Sequence, residues 1–306
     1  MTTVESSLSR AQPGLRARLD VPRRITLAAA LVVIGAVALL LGFIVWRGLQ
    51  LFVASGVPVA QIFTTAWQPD PLSAGTNYGL LPFIGGTLAV MAVAAVIATP
   101  LSVGLALFLA EVAPGWARRI VQPAMEVFVG IPSVVYGWLG LVVLVPYLRT
   151  QFGWMGFATG FSWFAGSLVL SLMILPTITS ISYDAFVVVP ADMRSASLAL
   201  GTTRWQAIRH VVLPTAATGV ATAIVFGLMR AAGEALAVQM VIGNAPVIPT
   251  SLARPVTTLT SQITLDMSDA TGTWNEALWT MGLVLLIISL TFVLIIRRLG
   301  RRSTPA

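Results

Sequence analysis

The chain has 306 residues, of which 57% are hydrophobic and only 9% charged, with a formal net charge of +7 and a mean hydropathy of +0.90. Water-soluble domains carry about 25% charged residues, so this chain cannot cover its own surface, and lipid must be the solvent for much of it. The basic excess is arginine alone: without lysine there is no Walker A motif or Schiff-base lysine, without cysteine no disulfide or thiol nucleophile, and the single His210 builds no His-rich metal site.

Residues 1–24 are polar, with Arg10, Arg16, Arg18, Arg23 and Arg24, and predict a cytoplasmic tail. Ile25–Val45 is an uncharged apolar run, longer than the core of a signal peptide and without a following A-x-A site. It predicts an uncleaved first span over about 25–46. Trp46–Gly79, with Pro58, Trp67, Pro69, Asp70 and Pro71, predicts an external loop, and 80–110 a second span. There Ala94, Ala98, Ser102, Ala106 and Ala110 recur every four residues, which puts a strip of small side chains on one helical face. Such a strip lets a second helix approach closely, the alternative being an alanine-rich helix facing lipid. Pro100 predicts a kink whose freed backbone groups neighbours satisfy.

Residues 111–126, with Arg118 and Arg119, predict an inner loop. The third span, 127–148, contains "GIPSVVYGWLG", where Pro132, Gly137 and Gly140 predict close packing or an irregular turn. A short external turn leads to a fourth span at 161–183. An inner stretch, Asp184–His210, precedes a fifth span within 211–241. A second long external loop over 243–276 leads to a sixth span at 277–296, and 297–306 forms an arginine-rich tail. With the N-terminus inside, 14 of the 18 arginines fall in inner segments and 3 outside. This is the positive-inside bias, and it places both termini in the cytoplasm. It also explains the basic balance without nucleic acid, for which no basic soluble segment exists. The expectation is therefore an all-α integral membrane protein with six transmembrane helices forming one domain over 25–296, in contact with lipid.

The inner stretch contains "SASLALGTTRWQAIRHVVLP". Ser195–Leu200 has helical spacing. Gly201 can take the positive φ that ends a helix. Trp205, Ile208 and Val212 fall near one face of a second helix. Physics alone leaves an amphipathic connector as an alternative. The stretch resembles the EAA loop of ABC importer permeases, which runs E-A-A, then glycine, then Leu-Pro. Ala196, Gly201, Leu213 and Pro214 match, whereas Ser195 stands where that family usually has Glu, and Ser197 departs mildly. The resemblance implies that Ser195, Ala196, Ser197, Gly201 and Pro214 belong to a loop docking on an ATPase subunit.

Between Val211 and Ala253 the charged residues are Arg230 and Glu234 alone. Four apart, they are neighbours on one helix face, with Arg230 about 23 Å along a helix starting after Pro214. One reading is a self-neutralised ion pair that fixes packing. The other is a guanidinium offered to a passing oxyanion, which its planar fork can hold through two bonds, with Glu234 holding it when the site is empty.

"PFIGGTLAV", "IATPLSVGLALFLAEVAPGW", "GIPSVVYGWLGL", "LALGTTRW" and "RAAGEALAVQMVIGN" together resemble the PstC-type permeases of phosphate-specific ABC transporters. Ala235 departs from their more usual Gly-Glu-Thr. The resemblance implies the type I ABC importer permease (MetI-like) fold in a bacterial inner membrane. It further implies a heterodimer with a PstA-like second permease, a cytoplasmic ABC ATPase dimer holding ATP and Mg, and an extracytoplasmic phosphate-binding protein. This chain would then be non-catalytic and without a cofactor, and Arg230 and Glu234 would line the substrate pathway. Another oxyanion as cargo (phosphonate, sulfate or molybdate) and a stand-alone transporter or channel are the alternatives.

Overall fold

The computed structural model describes residues 13–70 and 75–301. Residues 1–12 and 302–306 of the expected tails, and Pro71 of the first external loop, lie outside them. Among the described residues, six helices are long and apolar enough to cross a membrane: Ile25–Val53, Leu81–Val112, Ser133–Met155, Trp163–Val187, Arg204–Ala232 and Gly272–Ile295. The strands among these residues are β1 (Trp67–Gln68) and β2 (Asn77–Tyr78), a short antiparallel pair in register Trp67↔Tyr78. Trp67 stacks edge-on against Phe83, with ring centroids 5.0 Å apart.

Helix α1 (Pro13–Val53) is continuous from within the expected N-terminal tail. Helix α2 (Leu81–Leu107) runs through Pro100 and widens into a π-helical turn at Phe108–Val112. Helix α3 (Gly115–Gly130) corrects the expected inner loop at 111–126: it starts after Pro114 and buries Ala117. Helix α4 (Ser133–Leu139), a π-helical turn at Gly140–Leu144 and α5 (Val145–Phe152) make the third span. Helix α6 (Trp163–Val187) is the axis of the bundle. In its most apolar window 61% of the residues are buried, against 0% for α1.

The small-residue strip of α2 meets α6: Ala94, Ala98, Ser102 and Ala106 are each 0% exposed. The Ser102 hydroxyl donates to the carbonyl of Leu175 (3.1 Å), which also accepts from Thr179 (2.8 Å). At Gly137 and Gly140 both alternatives of the sequence hold. An added Cβ would lie 2.8 Å from Ala237 Cα at Gly137, and 2.7 Å from Val241 Cγ1 at Gly140, where the π-helical turn begins.

After α7 (Ala191–Ala199), helix α8 (Arg204–Ala207), a π-helical turn at Ile208–Val212 and α9 (Leu213–Ala232) form the fifth span. The expected fifth span of 211–241 is corrected at both ends, since the helix begins at Arg204 and stops at Ala232. A separate helix, α10, covers Leu236–Ile242. The second external loop is corrected too. It contains α11 (Leu259–Asp266), which tucks against the bundle with Leu259 and Ser261 fully buried. Helix α12 (Gly272–Arg301) closes the fold against α1. Thr280 donates to the Gly48 carbonyl (2.9 Å), Ser55 to Glu276 (2.5 Å), and Arg47 lies over the Trp279 ring at 5.5 Å.

Candidate functional site

The inner stretch folds as two helices about a glycine. Gly201 sits at φ +82°, a conformation that costs any side-chain-bearing residue steric strain. Across this turn the Ser197 and Thr202 hydroxyls lie 2.9 Å apart, and Thr202 also donates to the Ser197 carbonyl (2.8 Å). Thr203 and Gln206 then form a capping box that starts α8. Ser195 turns its hydroxyl back to the carbonyl of Ala191 (2.9 Å) and is exposed with Ala196. Pro214 is in the first turn of α9. Of the expected apolar face of the second helix, Ile208 and Val212 are buried, but Trp205 is not. Exposed apolar side chains thus lie on either side of Gly201, Met193, Leu198 and Leu200 before it and Trp205 after, with Leu200 85% exposed.

Arg230 and Glu234 are not an ion pair. Arg230 occupies the last turn of α9, and its Nη1 donates to the hydroxyl of Thr177 on α6 (3.2 Å). Glu234 lies beyond the helix end, in the break between α9 and α10. Its Oε1 accepts from the backbone N–H of Ala237 (3.1 Å), in the first turn of α10. A carboxylate there satisfies an otherwise orphaned N–H and meets the positive end of the helix dipole. Ala235, at the N-cap, has no side-chain oxygen for this task. The two residues therefore do not share a helix face, and the guanidinium has no carboxylate partner among the described residues.

The break is held by a group that sequence reasoning missed. Thr260 on α11 donates to the Glu234 carbonyl (2.7 Å), which a broken helix leaves without an intrahelical partner. Thr257, Thr258, Thr260, Ser261 and Gln262 are all buried, and the Thr87 hydroxyl accepts from the N–H of Leu259 (3.0 Å). The signal was the spacing Thr258-x-x-Ser261, which is a capping box in the structure. On the side of the inner loop, a cavity of about 470 Å³ lies between α3 and α6, lined by Gln122, Glu126, Pro176, Thr179, Tyr183 and Asp184. It begins at Pro176, next in sequence to the Thr177 that holds Arg230, and runs about 12 Å along α6 to Asp184.

A bundle of apolar helices with a helix–glycine–helix loop at one end and a lone arginine at a helix break has the organisation of a membrane permease. Residues 102–305 match the family of binding-protein-dependent transport system inner membrane components, and the chain belongs to that family. It is 49% identical over 282 residues to the probable ABC transporter permease protein YqgH of Bacillus subtilis (strain 168), covering 92% of this chain and 90% of that protein. It is 39% identical over 253 residues to the phosphate transport system permease protein PstC of Pasteurella multocida (strain Pm70), covering 78% and 79% respectively. Among solved structures, a chain of the MetNI methionine ABC transporter in an inward-facing conformation aligns with a TM-score of 0.59 at 21% identity, over 74% of this chain and 96% of that one. A chain of a bacterial alginate ABC transporter aligns with a TM-score of 0.61 at 20% identity, over 94% and 98%. At these identities the likeness is one of fold, that of the type I ABC importer permeases.

Proposed function

We propose that this chain is the permease subunit of an ATP-driven importer of inorganic phosphate and forms half of its translocation pathway. The observation that carries the proposal is Arg230: a guanidinium at the end of a membrane-spanning helix, bonded to a threonine hydroxyl and not neutralised by Glu234. An unpaired cation inside a membrane protein is costly unless it meets a charge during function. Its planar fork suits a tetrahedral oxyanion. The similarity to phosphate transport permeases supports phosphate as that anion.

The exposed apolar side chains on either side of Gly201 support docking of a cytoplasmic ATPase through Ser195, Ala196, Ser197 and Gly201, with Pro214 starting the span beyond. Both termini are then cytoplasmic, in agreement with the arginine distribution. A PstA-like permease supplies the other half of the pathway, and an extracytoplasmic binding protein delivers phosphate. ATP and Mg belong to the ATPase dimer, whose closure moves α7. This chain hydrolyses nothing and holds no cofactor. The test is uptake of labelled phosphate by proteoliposomes holding the assembled complex and its binding protein, with sulfate, molybdate and a phosphonate as competitors. Phosphate uptake that requires ATP and resists the other anions is expected. Preferential uptake of another oxyanion, or uptake by this chain without an ATPase, would overturn the proposal.

A further inference from the structure

We infer that Arg194 and Glu111 form the clasp that carries movement of α7 into the membrane spans; the inference rests on the importer reading above. Helix α7 buries none of its own residues, so its apolar packing against the bundle is slight. Arg194 fastens it. Its Nη1 donates to the carbonyl of Val189 (2.8 Å) and its Nη2 to that of Phe186 (2.7 Å), at the end of α6. On the other side, Nε and Nη2 reach Glu111 Oε1 at 3.1 and 2.9 Å. Glu111 belongs to the π-helical turn that ends the α2 span. One side chain thus joins α7 to α6 and to α2.

The pair is sheltered, with side chains 25% and 12% exposed for Arg194 and Glu111. It is therefore not one of the freely solvated surface pairs that contribute almost nothing. The guanidinium fork is needed because carbonyls and carboxylate are held at once; a lysine ammonium is a point charge and cannot span them. Another face of α7 is directed outward: Asp192, Ser195, Ala196 and Ala199 are exposed while Arg194 is sheltered. One helix therefore presents one face for docking and a single polar anchor for transmission. A cavity of about 200 Å³ beside the pair, lined by Leu198, Arg204, Ile208 and Val212, gives the anchor room to shift. Arg194 and Glu111 are positioning residues: neither needs to meet the cargo, and their removal should uncouple hydrolysis from transport rather than stop it.

The experiment compares Glu111→Gln, which keeps size but loses charge, and Arg194→Lys with the unaltered sequence, in the complete complex with its binding protein in proteoliposomes. ATP hydrolysis and phosphate uptake are measured on the same vesicles. Uptake by the unaltered complex tests the importer reading on its own. For the clasp, the expected result is normal complex yield, ATPase activity within about twofold, and phosphate carried per ATP lower by about tenfold, the weight of one charge-assisted hydrogen bond. If uptake and hydrolysis fall together, or neither changes, the clasp does not transmit and the inference is overturned. Should Glu111→Gln not assemble, Glu111→Asp, which keeps the charge but shortens its reach, is read by the same ratio.

Discussion

Replacing Glu234 by Gln and by Ala separates two roles for this residue. If the carboxylate caps α10, what matters is an oxygen that accepts from the Ala237 N–H. Gln keeps that oxygen and loses the charge facing the helix dipole, a cost of about 0.3–1 kcal/mol. Ala loses both, adding the loss of a cap, about 0.5–2 kcal/mol. The purified complex should therefore melt in the order unaltered, Glu234→Gln, Glu234→Ala, with the Ala shift at least about 1.5 times the Gln shift. Thermal unfolding followed by tryptophan fluorescence in one detergent reads this directly. If Glu234 instead existed to neutralise Arg230, Gln and Ala would remove the same charge and cost alike. Equal shifts would refute the capping argument.

Arg230→Lys keeps the charge but loses the fork, and should lower phosphate uptake by about tenfold with complex yield unchanged. Exchanging the residues, Arg230→Glu with Glu234→Arg, should restore neither yield nor uptake, because an arginine cannot accept from the Ala237 N–H; recovery of yield would show that the pair acts through mutual charge. Gly201→Val places a β-branched residue at φ +82°, costing about 1–2 kcal/mol. It should reduce retention of the ATPase on the purified permease, and full retention would make the loop an ordinary connector. Reporter fusions after Gly300 and at Gly79 should report opposite sides of the membrane, and the same side for both would sink the six-span topology.

The apolar runs and their charge boundaries made the six spans legible, because lipid demands long uncharged helices. The small strip on α2 was legible because i, i+4 spacing fixes a face before any partner is known. The end of the fifth helix was not. The sequence "GEALAVQMVIG" stays apolar past Ala232, and a lone glycine does not by itself end a membrane helix. The break depends on Thr260, distant in sequence, which supplies a donor to the Glu234 carbonyl. That is also why Arg230 and Glu234 read as a pair: i, i+4 spacing implies contact only where the helix continues. Helix α11 was hidden for the opposite reason. Its threonines and serines read as loop chemistry, yet they bond to one another, and the backbone N–H of Leu259 donates to the Thr87 hydroxyl, so the segment can be buried.

The partnership of α1 with α12 has a consequence for how the protein is made. Helix α1 and the residues just after it have bonds waiting in α12, more than 200 residues on: Gly48 for Thr280, Ser55 for Glu276, Arg47 for Asn275. Until α12 is inserted, the carbonyl of Gly48 and the side chain of Arg47 are without these partners. Closing the bundle therefore waits for α12, and a chain cut before Gly272 would lack all three of these bonds while α1 kept its packing of Leu51 and Phe52 on Trp67 and Tyr78.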